Sequence, residues 1–289
     1  MPENALEIRG LAKSFHSFTL GPIHLTVPMG AIYGFVGPNG AGKTTTLDLI
    51  FGLGMKDAGS ISVLGLDHQR DERAMKQRAA YVNPDLNYSP WSRVSKAISF
   101  VKGFYPTWDD AYCASMLANF QVGLDERIQT LSFGARTKLS LVLALSWHPA
   151  FLILDEPTTG LDVISKQQLF AELLSVVQRE DRAILISSHA ITDLERFADH
   201  VGLIKNGRMI IEGATDEVVD RYRLVDIPSE QAAGVEREPG VLVQQRDQHR
   251  WRVLLDQRLT PIDRLRAGRS LLSDSALSLE ELVVALGRS

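Results

Sequence analysis

The stretch GPNGAGKTT, Gly37–Thr45, places three glycines, a lysine and two threonine hydroxyls within nine residues. This fits the G-x-x-x-x-G-K-[ST] spacing of a phosphate-binding loop. Gly37, Gly40 and Gly42 let the backbone turn so that several N–H groups point at phosphate oxygens, with Asn39, Ala41 and Thr45 completing the loop. A helix starting at the same point adds partial positive charge. Lys43 is expected to reach the β- and γ-phosphates of ATP, and Thr44 to offer its hydroxyl to Mg2+.

A second segment, FLILDEP (Phe151–Pro157), sets two acids at the carboxyl end of an apolar strand. Ligands gather at strand C-termini in open α/β sheets. Asp155 is suited to hold Mg2+ through its water shell, and Glu156 to polarise an attacking water. An isolated Asp-Glu pair would usually be a solvated loop, but behind a phosphate loop the catalytic reading is favoured. In LSFGA (Leu131–Ala135), Ser132 stands where the N-cap of a Thr137–Trp147 helix belongs. His189 follows the apolar strand Ala183–Ile186 within SSH.

In this order the segments resemble those of ATP-binding cassette (ABC) proteins, over about residues 5–215. LSFGA resembles the family signature, usually LSGGQ, and His189 falls at the switch histidine. TTGLD (Thr158–Asp162) is similar to the D-loop. Phe15 aligns with the aromatic that stacks on adenine; Phe18 is the alternative, and a core role is open to either. SSHAITDLERFADHVGLIKNGRMIIEG and YPTWDD are similar to ATP-binding subunits of ABC-2-type exporters, in the YtrB-like and bacitracin-exporter-like branches.

The resemblance implies a sandwich of two nucleotide-binding subunits, either identical or close paralogues. The Lys43 loop of one would face Ser132 and Gly134 of the other, with ATP between. Asp162 would link the two sites, and His189 would hold the γ-phosphate and the Glu156–water arrangement. It further implies a separate transmembrane permease subunit, no nucleic-acid partner, and a cytoplasmic, peripheral place on the inner face of the cell membrane. Two departures stand out. Where the family carries a Q-loop glutamine, this chain reads YVNPD, with Pro84 in direct register and Asn83 or Asp85 as substitutes if the loop shifts; Asp85 then joins the expected metal ligands. Phe133 and Ala135 replace the signature's usual Gly and Gln, and Phe133 adds bulk near the expected seam.

The elements that must position these residues read as alternating strands and helices. Strands are predicted at Ala5–Ile8, Ile23–Val27, Ile32–Val36 and Ile61–Val63, with a helix from the Gly40–Lys43 turn to about Phe51 and a polar helix at Asp71–Arg78. From Ser95 to Ala118 the period is helical, broken at Gly103 and Pro106. Trp91, Phe100, Phe104, Tyr105 and Trp108 in this region form either the subdomain's own core, the favoured reading, or a partner surface. Helices at Lys166–Gln178 and Thr192–Ala198 alternate with strands at Phe151–Leu154, Ala183–Ile186 and Val201–Ile204, and Asn206-Gly207 turns into a strand at Arg208–Glu212. Pro228–Gly240 reads as a linker, followed by paired strands at Val241–Val243 and Trp251–Leu255 and an amphipathic helix at Leu277–Leu286.

The expected fold is therefore α/β: a P-loop NTPase core of ABC type, mostly parallel with an antiparallel β subdomain, plus a helical subdomain and a small C-terminal α+β extension. The nucleotide-binding domain spans 1–222, with its helical subdomain at about 86–147, and an accessory domain spans 223–289. That tail would brace the dimer by default, or regulate turnover, or contact the partner.

Composition bounds the alternatives. At 289 residues and 45 % hydrophobic content the chain can bury a sizeable core, and a net charge of −4 gives no electrostatic reason to expect nucleic acid as the main partner. Cys113 is the single cysteine, so no intrachain disulfide forms and a reducing compartment fits. MPENALEIRG lacks the apolar region of a secretory signal, and the longest apolar stretch, Leu139–Trp147, is too short to span a bilayer. Docking to a membrane protein stays open. The competing functions are a non-transport ABC ATPase in DNA repair, chromosome organisation or translation, and a weakly hydrolysing regulatory subunit. The first usually shows a long coiled-coil insertion or a second cassette, and neither is seen. The altered Q-loop favours the second, while Glu156 and His189 oppose it.

Overall fold

Period-two burial builds the first layer. β1 (Asn4–Ser14) pairs antiparallel with β2 (Thr19–Pro28), whose residues alternate between buried and exposed, as in a sheet with one wet face. β3 (Ile32–Val36) is instead buried at every position and runs into the glycine-rich loop and α1 (Lys43–Ile50). The chain returns through β4 (Ala58–Val63), β5 (Leu66–Asp67) and α2 (Glu72–Lys76) to β6 (Ala79–Val82). The α-helices described next are α3 (Val94–Lys102), α4 (Asp110–Phe120) and α5 (Phe133–Leu145). Then come β7 (Phe151–Asp155), α6 (Val163–Val177), β8 (Ala183–Ser188), β9 (His200–Lys205) and β10 (Arg208–Ala214). This computed structural model describes residues 2–83, 88–178 and 182–288.

The chain divides into two compact units, Met1–Ile210 and Ile211–Ser289. In the first, β2-β1-β4-β5 form an antiparallel sheet, and β9-β3-β8-β7-β6 form the central one, which β10, the strand that carries the boundary, extends at its β9 edge. There β3 is flanked by parallel β8 and β9, and β7 lies parallel between β8 and β6. This order brings the carboxyl ends of β3, β8 and β7 side by side. They carry the glycine loop, the Ser-Ser-His segment and the Asp-Glu pair. Leu6, Leu25, Phe35, Leu47, Ile50, Ile61, Phe151, Ile153 and Leu185 fill the core between the two sheets and α1. Each such side chain contributes about 1.5–3 kcal/mol by burial, so the site rests on a stiff base.

The second unit contains α7 (Thr215–Asp220), β11 (Tyr222–Pro228), β12 (Val241–Arg246), β13 (Arg250–Asp256), α8 (Ile262–Arg266), β14 (Ser273–Ala276) and α9 (Leu279–Arg288). Its sheet runs β12-β13-β11-β14 with every neighbour antiparallel. Val225, Ile227, Val253, Leu255 and Leu265 form its core.

The α/β fold of ABC type is the one expected, but local readings differ. No α-helix forms over 192–198: a 3-10 turn, Ile191–Asp193, replaces it. So short a helix nucleates poorly, and Lys166 holds the Asp193 carboxylate at 2.7 Å. Pro228–Gly240 is no loose linker, because Ala232 and Val235 within it are fully buried. In the helical region, Phe100 and Phe104 are exposed and stand in a run of rings Trp91–Phe100–Phe104 spaced 4.7 and 5.0 Å. The own-core reading thus fails for these two and holds for Tyr105, which stacks on the buried Trp147 at 4.1 Å.

Candidate active site

Two glycines show why the loop sequence is what it is. Gly42 sits at φ +108°, and a Cβ there would come within 2.8 Å of Leu20 Cδ1. A Cβ on Gly37 would come within 2.3 Å of the Ile204 carbonyl oxygen. Only glycine meets both demands cheaply. The loop closes with the Ala41 N–H donating to the Pro38 carbonyl and the Gly207 N–H to the Ala41 carbonyl. A cavity of about 240 Å³ opens over it, lined by Phe18, Pro38, Asn39, Gly40, Gly42, Lys43, Thr44, Thr45 and Glu156.

Lys43 is 6 % exposed and curls over the loop, donating from Nζ to the Gly37 carbonyl at 2.7 Å. The same Nζ stands 3.1 Å from Glu156 Oε1. Glu156 Oε2 in turn meets His189 Nδ1 at 2.7 Å. A carboxylate at the end of β7 is thus held between a lysine from the β3 loop and a histidine from the β8 loop. Glu156 adopts φ +48°, a left-handed conformation unusual for a non-glycine residue, at the point where its side chain must turn toward the loop.

Asp155 is anchored on both oxygens. Thr44 Oγ1 donates to Oδ2 at 2.6 Å, and Ser187 Oγ donates to Oδ1. The same Ser187 oxygen accepts the Glu156 N–H at 3.0 Å, so one hydroxyl fixes both members of the Asp-Glu pair. The resulting donor set is hard oxygen: a hydroxyl and a carboxylate on adjoining elements. No group of three or more His, Cys, Asp or Glu able to hold a metal occurs among the described residues. The Thr44 hydroxyl and the Asp155 carboxylate suit Mg2+, which takes one or two protein ligands and completes its shell with phosphate and water.

The remaining expected residues lie elsewhere. Ser132 caps α5, accepting the Ala135 N–H at 3.2 Å, and is exposed. Phe133 is exposed on the first turn, and its ring lies over Gly160, where an added Cβ would fall 2.5 Å from Phe133 Cδ1. A Cβ on Gly134 would fall 2.8 Å from the Gly160 carbonyl. Asp162 caps α6, accepting from the Ser165 hydroxyl at 2.6 Å and its N–H at 2.9 Å. The hydroxyl bond, then the amide, holds its carboxyl below the usual range. None of Ser132, Gly134 and Asp162 lines the cavity. Phe15 is 48 % exposed with its ring 6.2 Å from Phe18; Phe18, the alternative aromatic, lines the cavity. Asp85 and Pro84 lie outside the described residues. Ser187 was not anticipated: a serine in a buried strand carries no chemistry until its neighbour Asp155 is known.

The sequence matches the ABC transporter family over residues 20–159. It is 34 % identical over 226 residues to Nod factor export ATP-binding protein I of Paraburkholderia xenovorans (strain LB400), covering 76 % of this chain and 74 % of that one. It is 28 % identical over 218 residues to ABC transporter ATP-binding protein YtrB of Bacillus subtilis (strain 168), covering 75 % and 74 %. Among solved structures, the ATP-binding subunit of an ABC transporter superposes with a TM-score of 0.68 at 24 % identity, over 75 % of this chain and 92 % of that one. The chain belongs to the ABC transporter ATP-binding family, and its activity is the ATP hydrolysis that the family couples to transport. These likenesses give the non-transport alternatives no support. No helix among the described residues is long and apolar enough to cross a membrane.

Proposed function

We propose that this chain is the ATPase subunit of an ABC-2-type exporter, with Glu156 as the base that activates the attacking water. The observation that carries this reading is the Glu156 carboxylate held between Lys43 and His189 at the mouth of the phosphate loop. Lys43 moves from Glu156 to the β/γ-phosphates of ATP, and the carboxylate it releases is free to take a water proton. His189 keeps that carboxylate aimed and turns toward the γ-phosphate. Thr44 and Asp155 are the residues that would hold Mg2+, which when bound neutralises phosphate charge. Asp85 is a further candidate ligand.

The exposed N-terminus of α5 offers the Ser132 hydroxyl and the Gly134 N–H to the γ-phosphate held by a second copy or close paralogue. Asp162 joins the two sites across that seam, and adenine stacks on Phe15 or Phe18. The complex docks on a separate permease at the inner face of the cell membrane, and the second unit braces the assembly. One relative is named for Nod factor export, which supports an outward direction.

The test is Glu156→Gln. Turnover should fall by about 10²–10⁴-fold, the usual weight of a general base. ATP binding should persist, and the variant should elute as a dimer in ATP and Mg2+. Unchanged ATPase rates would overturn the assignment. Purification from native membranes should retain a membrane-spanning subunit, and its consistent absence would remove the permease.

A further inference from the structure

Helix α1 presents Thr44 and Asp48, with Phe51 at its C-cap, at i, i+4 and i+7, so the three share one stripe. Facing them, β6 and β7 run parallel with Tyr81 level with Ile153 and Val82 with Leu154. Continued by one residue, this register sets Asn83 level with Asp155. The two-residue period of a strand places Tyr81, Asn83, Ile153 and Asp155 on the same face. The stripe is pinned along its length. Thr44 donates to Asp155, and Tyr81 Oη donates to Asp48 Oδ1 at 3.0 Å. The Tyr81 ring meets Phe51 at 5.4 Å between centroids. The Asn83 side-chain amide donates to the Tyr81 oxygen. Burial first, then the charges of Asp155 and Asp48, pushes the Tyr81 phenol above its ordinary value, so its proton stays on and points to Asp48.

We propose that Asp48, Tyr81 and Asn83 form a positioning string of the catalytic site. Tyr81 is the positioning residue: tied to the phosphate-loop helix, it holds the Asn83 amide beside Asp155, where Asn83 contacts the γ-phosphate end of ATP. The next residue, Pro84, has no polar side-chain atom, so of the pair Asn83 is the one whose side chain can make the contact. This role for Asn83 rests on the site reading proposed above.

The test uses the full-length protein and Tyr81→Phe, which removes one hydroxyl and keeps the ring on Phe51. Losing one hydrogen bond from the transition-state arrangement should lower kcat by about 3–10-fold. KM for ATP should stay within about twofold, the split expected when ground-state binding is untouched. Asn83→Ala should show the same split, and the double variant should be no slower than the slower single one. Wild-type kcat in Tyr81→Phe, or losses that multiply in the double variant, overturn the string. Should Tyr81→Phe fail to fold, Asn83→Ala decides alone: unchanged kcat overturns the proposal, and a fall in kcat at constant KM supports it. Glu156→Gln measured in parallel separates the readings. If it is inactive while Tyr81→Phe and Asn83→Ala are not, only the string falls; if Glu156→Gln is active, the site reading falls and takes the string with it.

Discussion

At the scale of single residues, the site depends on a hydroxyl that motif reading passes over. Ser187 is fully buried, gives its proton to Asp155 and accepts the Glu156 N–H. Ser187→Ala leaves an acid short of a donor and an amide short of an acceptor, and a buried polar group without its partner costs about 1–3 kcal/mol. The expected outcome is a kcat at least about tenfold lower, with a melting temperature lower by about 2–10 °C in a thermal scan. Wild-type values for both would show that Thr44 alone suffices to hold Asp155. That Lys43, Thr44, Asp155, Glu156 and His189 would come together as a candidate site was legible beforehand, because each lies in a short segment whose chemistry is local. Ser187 was not, because its role exists only once parallel pairing sets Asp155 level with it.

At the scale of elements, strand ends and helix caps decide what the site can offer. Ser132 serves α5 as an N-cap, and the proposed dimer also requires it as a phosphate donor. The two roles separate by substitution. Ser132→Ala forfeits the cap, about 1 kcal/mol, whereas Ser132→Gly costs only a few tenths. Thermal melts should therefore show Ser132→Gly close to wild type and Ser132→Ala lower by about 2–4 °C. ATPase activity should fall in both. Activity that follows stability, with Ser132→Gly fully active, would reduce Ser132 to a cap. The core strands of the first unit were legible in place, since β3 and β7 are continuous apolar runs bounded by turn residues. The 192–198 segment misled because its periodicity is that of a helix while its length is that of a turn.

At the scale of the whole chain, the two units announce themselves very differently in sequence. The first is built from motifs and apolar runs. In the second, β11 reads YRLVDIP, and a charge in mid-strand hides it: Asp226 lies between Val225 and Ile227, which point into the core. The strand holds because Asp226, 5 % exposed, accepts from Arg252 at 2.8 and 3.0 Å, Arg250 at 3.2 Å and Ser273 at 3.1 Å. Arg250 and Arg252 come from β13 and Ser273 from β14, so no local pattern could reveal the pairing. The Arg252 bond most of all holds the Asp226 carboxyl below its ordinary value, with Ser273 and the nearby charges adding to it. The folded value is lower than the unfolded one, near 3.9, so the stabilisation is fully present above that pH and is lost as pH falls through the folded value. Hydrogen exchange at the β11 and β13 amides should therefore be insensitive to this group from pH 7 down to about pH 5, after correction for intrinsic exchange, and protection should drop below about pH 4. Asp226→Asn should cost the second unit about 1.5–3 kcal/mol at pH 7, because the charge-assisted hydrogen bonds from two partly exposed arginines are weakened, and should flatten the acid response. An acid response in Asp226→Asn as steep as in the wild type would place the second unit's acid sensitivity in some other carboxylate.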